Sequence, residues 1–203
     1  MRGEITKRQK EFLKIIYSSL KNEGYPPSFE DFKNELGIKS NQAIIDHLKS
    51  LEKKNLIKRE EGSARGIAIK PLGYKAISKS PLVRFAGVSA AGPTIEAIDQ
   101  QEWVKMPSGY QKYENVFIVK VSGNSMIEAG IYDGDSVLIK EEKQYKSGDI
   151  VLARIGDEVT IKRFVFDSGR TYLKSENPVC RDIAITHDTY FLGKMISTLE
   201  KGE

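Results

Sequence analysis

Residues 40–70 read SNQAIIDHLKSLEKKNLIKREEGSARGIAIK, and this stretch decides the fold of the first part of the chain. Its first half predicts an α-helix that is capped by Ser40 or Asn41 and ends near Lys54. Three apolar residues recur at the spacing of one helix face, which we expect to be buried: Ile44, Leu48 and Leu51. The stretch therefore begins with an amphipathic helix.

The second half of the stretch, LIKREEGSARGIAIK at 56–70, predicts a β-hairpin. Two alternating runs flank a turn that contains glycine, which is the pattern of a pair of antiparallel strands. Arg65 lies near the predicted tip, where its side chain can reach the backbone or the minor groove of DNA. We interpret this hairpin as the wing of a winged-helix domain.

Upstream of this stretch, residues 6–37 predict two more helices. Thr6 is a suitable N-cap for the first helix, and Gly24 ends it. Ser28 and Asp31 form a capping-box-like start of the second helix. The predicted apolar faces are Leu13, Ile16, Tyr17 and Leu20 on the first helix, and Phe29, Phe32 and Leu36 on the second. The second and third helices, joined by a short turn with a glycine, make a helix-turn-helix candidate.

The exposed side of the third helix carries side chains that suit DNA. Gln42 can bond adenine edges in the major groove, whereas Lys49 and Lys53 suit phosphates. The predicted DNA-contact residues are Ser40, Asn41, Gln42, Ile45, Asp46, Lys49, Lys53 and Arg65. The alternative is a three-helix structural domain whose charges only solvate its surface.

The charge distribution favours DNA binding over that alternative. Residues 1–79 hold 17 Lys and Arg against 10 Asp and Glu, whereas the remaining residues hold 15 against 18. A basic first part joined to a mildly acidic remainder indicates that the first part contacts a polyanion.

The composition excludes several other classes of protein. No apolar run approaches the roughly 18 residues of a membrane span, and the N-terminal residues lack the apolar region of a signal peptide. Cys180 is the single cysteine, so an internal disulfide is excluded, and with two histidines a structural zinc site is not expected. We therefore expect a cytoplasmic protein without a membrane anchor, a metal or a cofactor.

The rest of the chain predicts a linker over 71–81 and a compact, mostly antiparallel β domain over 82–203. The linker sequence PLGYKAISKSP contains proline, glycine and serine. The β domain is predicted from six runs: VFIVKV (116–121), DSVLIK (135–140), DIVLARI (149–155), EVTIKRFVF (158–166), TYLK (171–174) and YFLGKMIS (190–197).

Two residues of the predicted β domain suggest nucleophilic catalysis. Ser125 follows a strand and a glycine in VSGNSM, where a hydroxyl can project from a tight turn. Lys162 shares its side of a strand with Phe164 and Phe166, and removal of a lysine from water lowers its pKa. A neutral lysine beside a serine can take the hydroxyl proton and activate the oxygen. The alternative is a turn serine and a strand lysine that faces solvent.

A small, apolar tract precedes the six predicted strand runs of this domain. VSAAGPTIEA at 88–97 has no charge before Glu96, and Ala90, Ala91 and Gly92 stand side by side. Such a tract is either a plain connector or a protease substrate.

Several motifs of this chain, taken together, resemble the LexA family of repressors. The N-terminal matches are TKRQKEFL, GYPPS, LGIKSNQAIIDHLKSLEKKNLIKR and GSARGIAI. The C-terminal matches are VSAAGP, VSGNSM, GIYDGD, VLARIGDEVTIKRF and ENP. The motifs keep the family's order and approximate spacing along nearly the whole chain.

The resemblance implies a two-domain protein: a winged-helix domain over 1–70, the linker, and a self-cleaving, dimerising peptidase domain over 82–203 that contains the scissile tract 88–94. It implies that Ser125 is the nucleophile, Lys162 the general base and Ala91–Gly92 the scissile bond. We expect the backbone N–H groups of Asn124 and Ser125 to hold the oxyanion.

The resemblance also implies the partners and the biological role. These are operator DNA, a second copy of the chain in a homodimer, and the RecA filament on single-stranded DNA, which stimulates cleavage of a repressor of DNA-damage (SOS) genes. The protein is then expected on the nucleoid. The alternatives are a prophage-type self-cleaving repressor, a DNA-binding regulator with an inactive peptidase domain, and a processing peptidase that acts on other proteins.

The sequence departs from the family pattern at several positions. Asn124 stands where many relatives carry another residue, and Pro93 directly follows the small-residue tract. Three residues of the third helix also differ from the best-known members: Gln42, Ile45 and Asp46. We therefore expect an operator sequence different from the enterobacterial one.

Overall fold

The computed structural model describes residues 4–59, 66–86 and 102–199. The chain divides into two compact units, of which the first comprises Met1–Leu82 and Gln100–Lys112 and the second comprises Val83–Asp99 and Tyr113–Glu203. The predicted wing-tip residue Arg65 and the predicted scissile pair Ala91 and Gly92 lie outside the described residues.

Among the described elements, most helices come before most strands in the chain. The helices are α1 (Lys7–Glu23), α2 (Phe29–Leu36), α3 (Asn41–Lys53) and α4 (Pro71–Ala76). The strands are β1 (Ile57–Arg59), β2 (Ile67–Ile69), β3 (Leu82–Ala86), β4 (Glu102–Lys105), β5 (Val116–Lys120), β6 (Ser136–Lys140), β7 (Ile150–Ile155), β8 (Glu158–Asp167), β9 (Arg170–Lys174), β10 (Ile183–Ala184) and β11 (Thr189–Leu199).

Local capping determines where the first two helices begin and end. The Thr6 hydroxyl accepts from the Gln9 N–H, and the Gln9 side chain accepts from the Thr6 N–H, so two otherwise free donors of α1 are satisfied. Ser28 and Asp31 form the same capping box at α2. Gly24 ends α1 with a φ of 85°, a left-handed conformation that favours glycine. These predicted helix ends are confirmed.

The core of the first unit consists of the predicted apolar faces of the three helices. Phe12 of α1 and Phe32 of α2 are fully buried and stack with ring centroids 4.9 Å apart. The other fully buried side chains include Leu13, Ile16, Ile44, Leu48 and Leu51. His47 packs on Phe12 with ring centroids 4.7 Å apart.

Strands β1 and β2 form the predicted antiparallel hairpin after α3. Ile57 is paired with Ile69, and both side chains are buried. The hairpin base is therefore held by the core, as expected for a winged helix.

Residues 71–81, which the sequence predicted to be a linker, contain helix α4 in the structure. Pro71 stands at its first turn, where the missing N–H has no cost. Tyr74 and Ile77 are buried in the core of the first unit, and Tyr74 makes an edge-to-face contact with Tyr17. The proline that suggested a linker begins this helix. The glycine lies where two stretches of backbone approach closely, since a Cβ on Gly73 would lie 2.3 Å from the Leu56 carbonyl oxygen.

Strand β4 also belongs to the first unit, although it follows the small-residue tract in the sequence. The Trp103 ring packs against the core of the first unit, and its indole N–H donates to the Gly24 carbonyl at 2.8 Å. The sequence-based assignment of all residues after 82 to the second domain did not anticipate this packing.

The strands of the second unit lie in one sheet in the order β10-β9-β8-β7-β11-β6-β5-β3. Neighbouring strands in this order are antiparallel, apart from β3 and β5, which are parallel. The prediction of a mostly antiparallel peptidase domain is therefore confirmed. Two groups of buried apolar side chains line the sheet, one around Phe117, Val137 and Ile139 and one around Val151 and Leu173.

Among the residues that the structure describes, no helix has the length and apolar character needed to cross a membrane.

Candidate functional site

Strand β8 carries Lys162 into the interior of the second unit. The strand pairs with β7 on one side, with Lys162 opposite Val151, and with β9 on the other. Paired strands cover the backbone around the lysine, and the whole residue is only 5% exposed. A buried lysine is unusual unless its ammonium group has several hydrogen-bond acceptors.

Ser125 lies in the turn that follows β5, and two backbone hydrogen bonds hold this turn. The Val121 N–H donates to the Asp135 carbonyl at 2.7 Å, and the Gly123 N–H donates to the Asp133 carboxylate at 2.8 Å. The residue after the serine, Met126, is buried in the core. The turn therefore has a fixed position, and Ser125 is half-buried between exposed Asn124 and buried Met126.

The structure brings the two predicted catalytic residues together. Lys162 Nζ lies 2.7 Å from Ser125 Oγ, 2.8 Å from Thr160 Oγ1 and 3.1 Å from the Ile161 carbonyl oxygen. Three acceptors suit a charged ammonium, and a neutral amine at the same place can accept the Ser125 hydroxyl proton. The arrangement can therefore move a proton between serine and lysine.

The environment favours the neutral form of the lysine. Burial lowers the pKa of Lys162 below its ordinary 10.5, while the nearby Cys180 thiol raises the pKa by a smaller amount. Phe166, which the sequence places on the same side of the strand as Lys162, is 58% exposed and adds little to the burial of the lysine. Phe164 packs in the group around Val151. Val151, the residue paired with Lys162 across the two strands, belongs to the same group.

Sequence reasoning assigned no role to two polar residues at this site, Thr160 and Asn177. Thr160 lies two positions before Lys162 on the same strand, so the period of a strand could have identified it. Asn177 is 8% exposed, and its Nδ2 donates to the Asn124 carbonyl at 2.8 Å, while its Oδ1 accepts from the Val179 N–H at 3.2 Å. The position of Asn177 in the ENP motif was the only signal for it.

The backbone N–H groups of Asn124 and Ser125 have no hydrogen-bond acceptor within the described parts of the chain. The Asn124 carbonyl, by contrast, is held by Asn177. A cleft lined by Gly123, Ser125 and Thr160 runs beside them. Because Ser125 lines this cleft, an oxygen that enters it could accept from the Ser125 N–H.

The predicted DNA-contact residues of α3 form an exposed face on the first unit. Ser40 is the N-cap, and Asn41, Gln42, Asp46, Lys49 and Lys53 are exposed, whereas Ile45 is half-buried. Gln42 Nε2 donates to Asp46 Oδ1 at 2.9 Å, so the two side chains lie together on this face. The face has the arrangement of polar and basic groups that was expected of a recognition helix.

Comparison with known proteins covers both units. The family model described as "LexA DNA binding domain" matches residues 2–66, and the model described as "Peptidase S24-like" matches residues 83–196. The LexA repressor of Caldicellulosiruptor saccharolyticus is 35% identical over 99% of this chain and 100% of that protein. This chain belongs to the LexA repressor family.

Other LexA repressors also match over most of their length. That of Clostridium botulinum strain Langeland is 38% identical over 96% of each chain, and that of Geotalea uraniireducens is 36% identical over 90% of this chain and 89% of its own. The resemblance seen in the motifs is confirmed. A LexA-type repressor of this kind joins a DNA-binding domain to a domain of a serine peptidase family.

Proposed function

We propose that this chain is a dimeric repressor of DNA-damage (SOS) genes that inactivates itself by cutting its own Ala91–Gly92 bond. The observation that carries the proposal is the buried contact of 2.7 Å between Lys162 Nζ and Ser125 Oγ in a chain that also has a LexA DNA-binding domain. The contact supports a role for Ser125 as nucleophile and Lys162 as general base.

In the proposed reaction, the carbonyl carbon of Ala91 lies against Ser125 Oγ. Neutral Lys162 takes the hydroxyl proton, and the oxygen attacks to form a tetrahedral intermediate. The proton then passes from Lys162 to the amine of Gly92, the bond between Ala91 and Gly92 breaks, and Ala91 remains as an ester on Ser125. Water, deprotonated by Lys162, hydrolyses the ester. Small residues on both sides of the bond leave room for the approach.

The unpaired N–H groups of Asn124 and Ser125 are the donors that we assign to the oxyanion. Asn177 positions the Ser125 N–H, because it holds the Asn124 carbonyl at the other side of the same peptide bond. Preorganised donors of this kind typically contribute a factor of roughly 10²–10³ each to the rate.

The substrate and the catalytic groups belong to one chain, so the rate depends on how often the tract 88–94 occupies the cleft. A partner that binds the occupied form more tightly than the unoccupied form increases that population. We assign this role to the RecA filament on single-stranded DNA, with ATP.

Repression in this proposal depends on two DNA-binding domains, at 1–70, held together by the dimerising domains, at 82–203. Two tethered copies on a two-fold operator gain affinity through effective concentration. The predicted contacts are Ser40, Asn41, Gln42, Ile45, Asp46, Lys49 and Lys53 on the recognition helix and Arg65 on the wing. Operator binding places the repressor on the nucleoid in the cytoplasm.

The test is a cleavage assay on the purified chain, with and without RecA, single-stranded DNA and ATP. We expect two fragments whose ends are Ala91 and Gly92, formed faster with the filament. Ser125→Ala and Lys162→Ala abolish the reaction, whereas the exposed-residue controls Ser147→Ala and Lys143→Ala do not. Cleavage that persists in Lys162→Ala, or an intact chain under every condition, would contradict the proposal.

A further inference from the structure

Residues 102–112 follow the proposed scissile bond in the sequence but pack in the first unit. The first unit is thus assembled from two pieces of chain, Met1–Leu82 and Gln100–Lys112. The proposed cut between Ala91 and Gly92 falls between these two pieces. A cut there leaves one piece of the same folded unit on each fragment.

Specific contacts hold the second piece in place. The Trp103 indole N–H donates to the Gly24 carbonyl at 2.8 Å, and the ring packs against the core of helices α1 to α4. Met106 is buried, and its backbone N–H donates to the Pro81 carbonyl at 2.8 Å. We call this surface, formed by Gly24, Pro81 and the adjoining core, the Trp103 seat.

The Trp103 seat has the features of a surface that binds another piece of chain. Gly24 ends α1, and carbonyls at a helix end need a partner from outside the helix. The indole N–H is a donor only, so its burial against the core requires an acceptor. Each group therefore satisfies the other, and separation leaves an apolar indole and an apolar surface exposed to water.

From these contacts we propose that the Trp103 seat binds the C-terminal fragment after self-cleavage, through residues 102–106, and keeps the two halves of the repressor associated. This inference rests on the proposed cleavage site. Cleavage then converts a covalent connection into a reversible one, and separation of the DNA-binding half from the peptidase half is a second step. The rate of that step, rather than the cut itself, determines how long the repressor stays dimeric on DNA.

The test cuts the chain without using its own chemistry. A recognition sequence for a site-specific protease is inserted between Ala91 and Gly92 of the full chain, in a Ser125→Ala background with an affinity tag at the N-terminus. After the cut, the N-terminal fragment is captured, and the C-terminal fragment is measured over a dilution series. We expect the two fragments to be captured together at high concentration and to separate on dilution.

Three variants test whether the Trp103 seat keeps the two fragments associated. Trp103→Ala should raise the dissociation constant about tenfold or more, as for other buried tryptophan anchors. Trp103→Phe, which keeps a ring but loses the N–H donor, should give a smaller increase. Phe166→Ala, an exposed aromatic of the second unit, is the matched control and should leave the dissociation constant unchanged.

Trp103 is the only tryptophan, so its emission reports directly on the seat. The emission should keep its wavelength after the cut and shift to the red when the fragments are diluted apart. Immediate separation at all concentrations, or equal dissociation constants for the wild type, Trp103→Phe and Trp103→Ala, overturns the inference. If uncut Trp103→Ala fails to fold by circular dichroism, Trp103→Phe decides the outcome.

The same set of experiments separates this inference from the proposed function. Failure of the chain without the insertion to cut itself contradicts the proposed function and leaves the protease-cut result valid. Immediate separation of the protease-cut fragments at all concentrations contradicts only the inference.

Discussion

At the scale of single residues, the burial of Lys162 has two opposite consequences. Its burial disfavours the charge that most lysines carry, and the same burial increases the fraction of the neutral amine, which is the form that can act as a base. The three oxygens around Nζ limit the penalty when the group is charged.

The pH dependence of self-cleavage should follow the neutral fraction of Lys162. Burial keeps the pKa below 10.5, so the rate should rise about tenfold per pH unit from neutral pH and level off below pH 10.5. The measurement is the first-order rate of fragment formation without RecA at a series of pH values. A rate that is flat from neutral to alkaline pH would show that Lys162 is not the base.

The stability of the second unit should increase when Lys162 is replaced by Met. Because the native pKa lies below the unfolded value, the unfolded chain binds more protons between the two, and wild-type stability rises with pH across that window. At pH 7, which lies below the unfolded pKa, the buried lysine still lowers the stability of the wild type, so Lys162→Met should be more stable by roughly 0.5–2 kcal/mol. Above that window the gain should shrink.

Urea unfolding at pH 7 and at alkaline pH, in a Ser125→Ala background that cannot cut itself, measures this difference. Lys143→Met is the control at an exposed lysine and should change little. A Lys162→Met variant that is less stable than its parent at pH 7 would mean that the hydrogen bonds of Lys162 outweigh the cost of its burial.

Asn177 should affect the rate of cleavage without changing its pH dependence. Asn177→Ala removes the bond to the Asn124 carbonyl and frees the peptide that precedes Ser125, so we expect a loss of roughly tenfold to a hundredfold in rate. The position of the pH profile should stay the same, because Asn177 has no hydrogen bond to Lys162. A profile that moves with the substitution would instead place Asn177 in the proton transfer.

The residues that the sequence could identify are marked by local patterns, whereas Asn177 is not. Ser125 and Lys162 were found because a Gly-x-Ser turn and a lysine within an apolar strand are local patterns. The contact from Asn177 to Asn124 joins residues 53 positions apart, and only the folded sheet brings them together. Arg65, Ala91 and Gly92 remain predictions.

At the scale of elements, the sheet of the second unit depends on a close approach at Gly193. A Cβ there would lie 2.5 Å from the Ile139 side chain and 2.5 Å from the Lys140 carbonyl oxygen. Gly193 also lies next to the register shift in the pairing of β11 with β7. The backbone of β11 therefore needs a residue without a side chain at this point.

Gly193→Ala should destabilise the second unit by about 1–3 kcal/mol, the usual cost of overpacking. Strand β6 would have to move away from β11, since the obstacle includes a backbone oxygen that cannot rotate aside. Thermal unfolding followed by calorimetry checks this, with Thr198→Ala, an exposed substitution on the same strand, as the control. Equal shifts in the two variants would argue against the close approach.

Elements with strong local signals were predictable. Capping residues located α1 and α2, and alternating runs located β5 to β9 and β11, because these patterns act within a few residues. Helix α4 and strand β4 were missed, since each is short and is held by the core of the first unit rather than by its own sequence. The six residues of α4 do not form a stable helix without that packing.

At the scale of the whole molecule, the two units should unfold in separate transitions, because each has its own core. Thr6→Ala removes the N-cap of α1 and should destabilise the first unit by about 1 kcal/mol. Gly193→Ala should lower only the other transition.

The fluorescence of Trp103 distinguishes the two unfolding transitions. It follows the proposed scissile bond in the sequence, but it packs in the first unit, so its emission should change together with the transition that Thr6→Ala lowers. Fluorescence-monitored heating of the wild type and both variants, in a Ser125→Ala background, gives the result directly. An emission change that moves with Gly193→Ala and not with Thr6→Ala would place Trp103 in the second unit, and would also remove the surface on which the cut halves are proposed to stay associated.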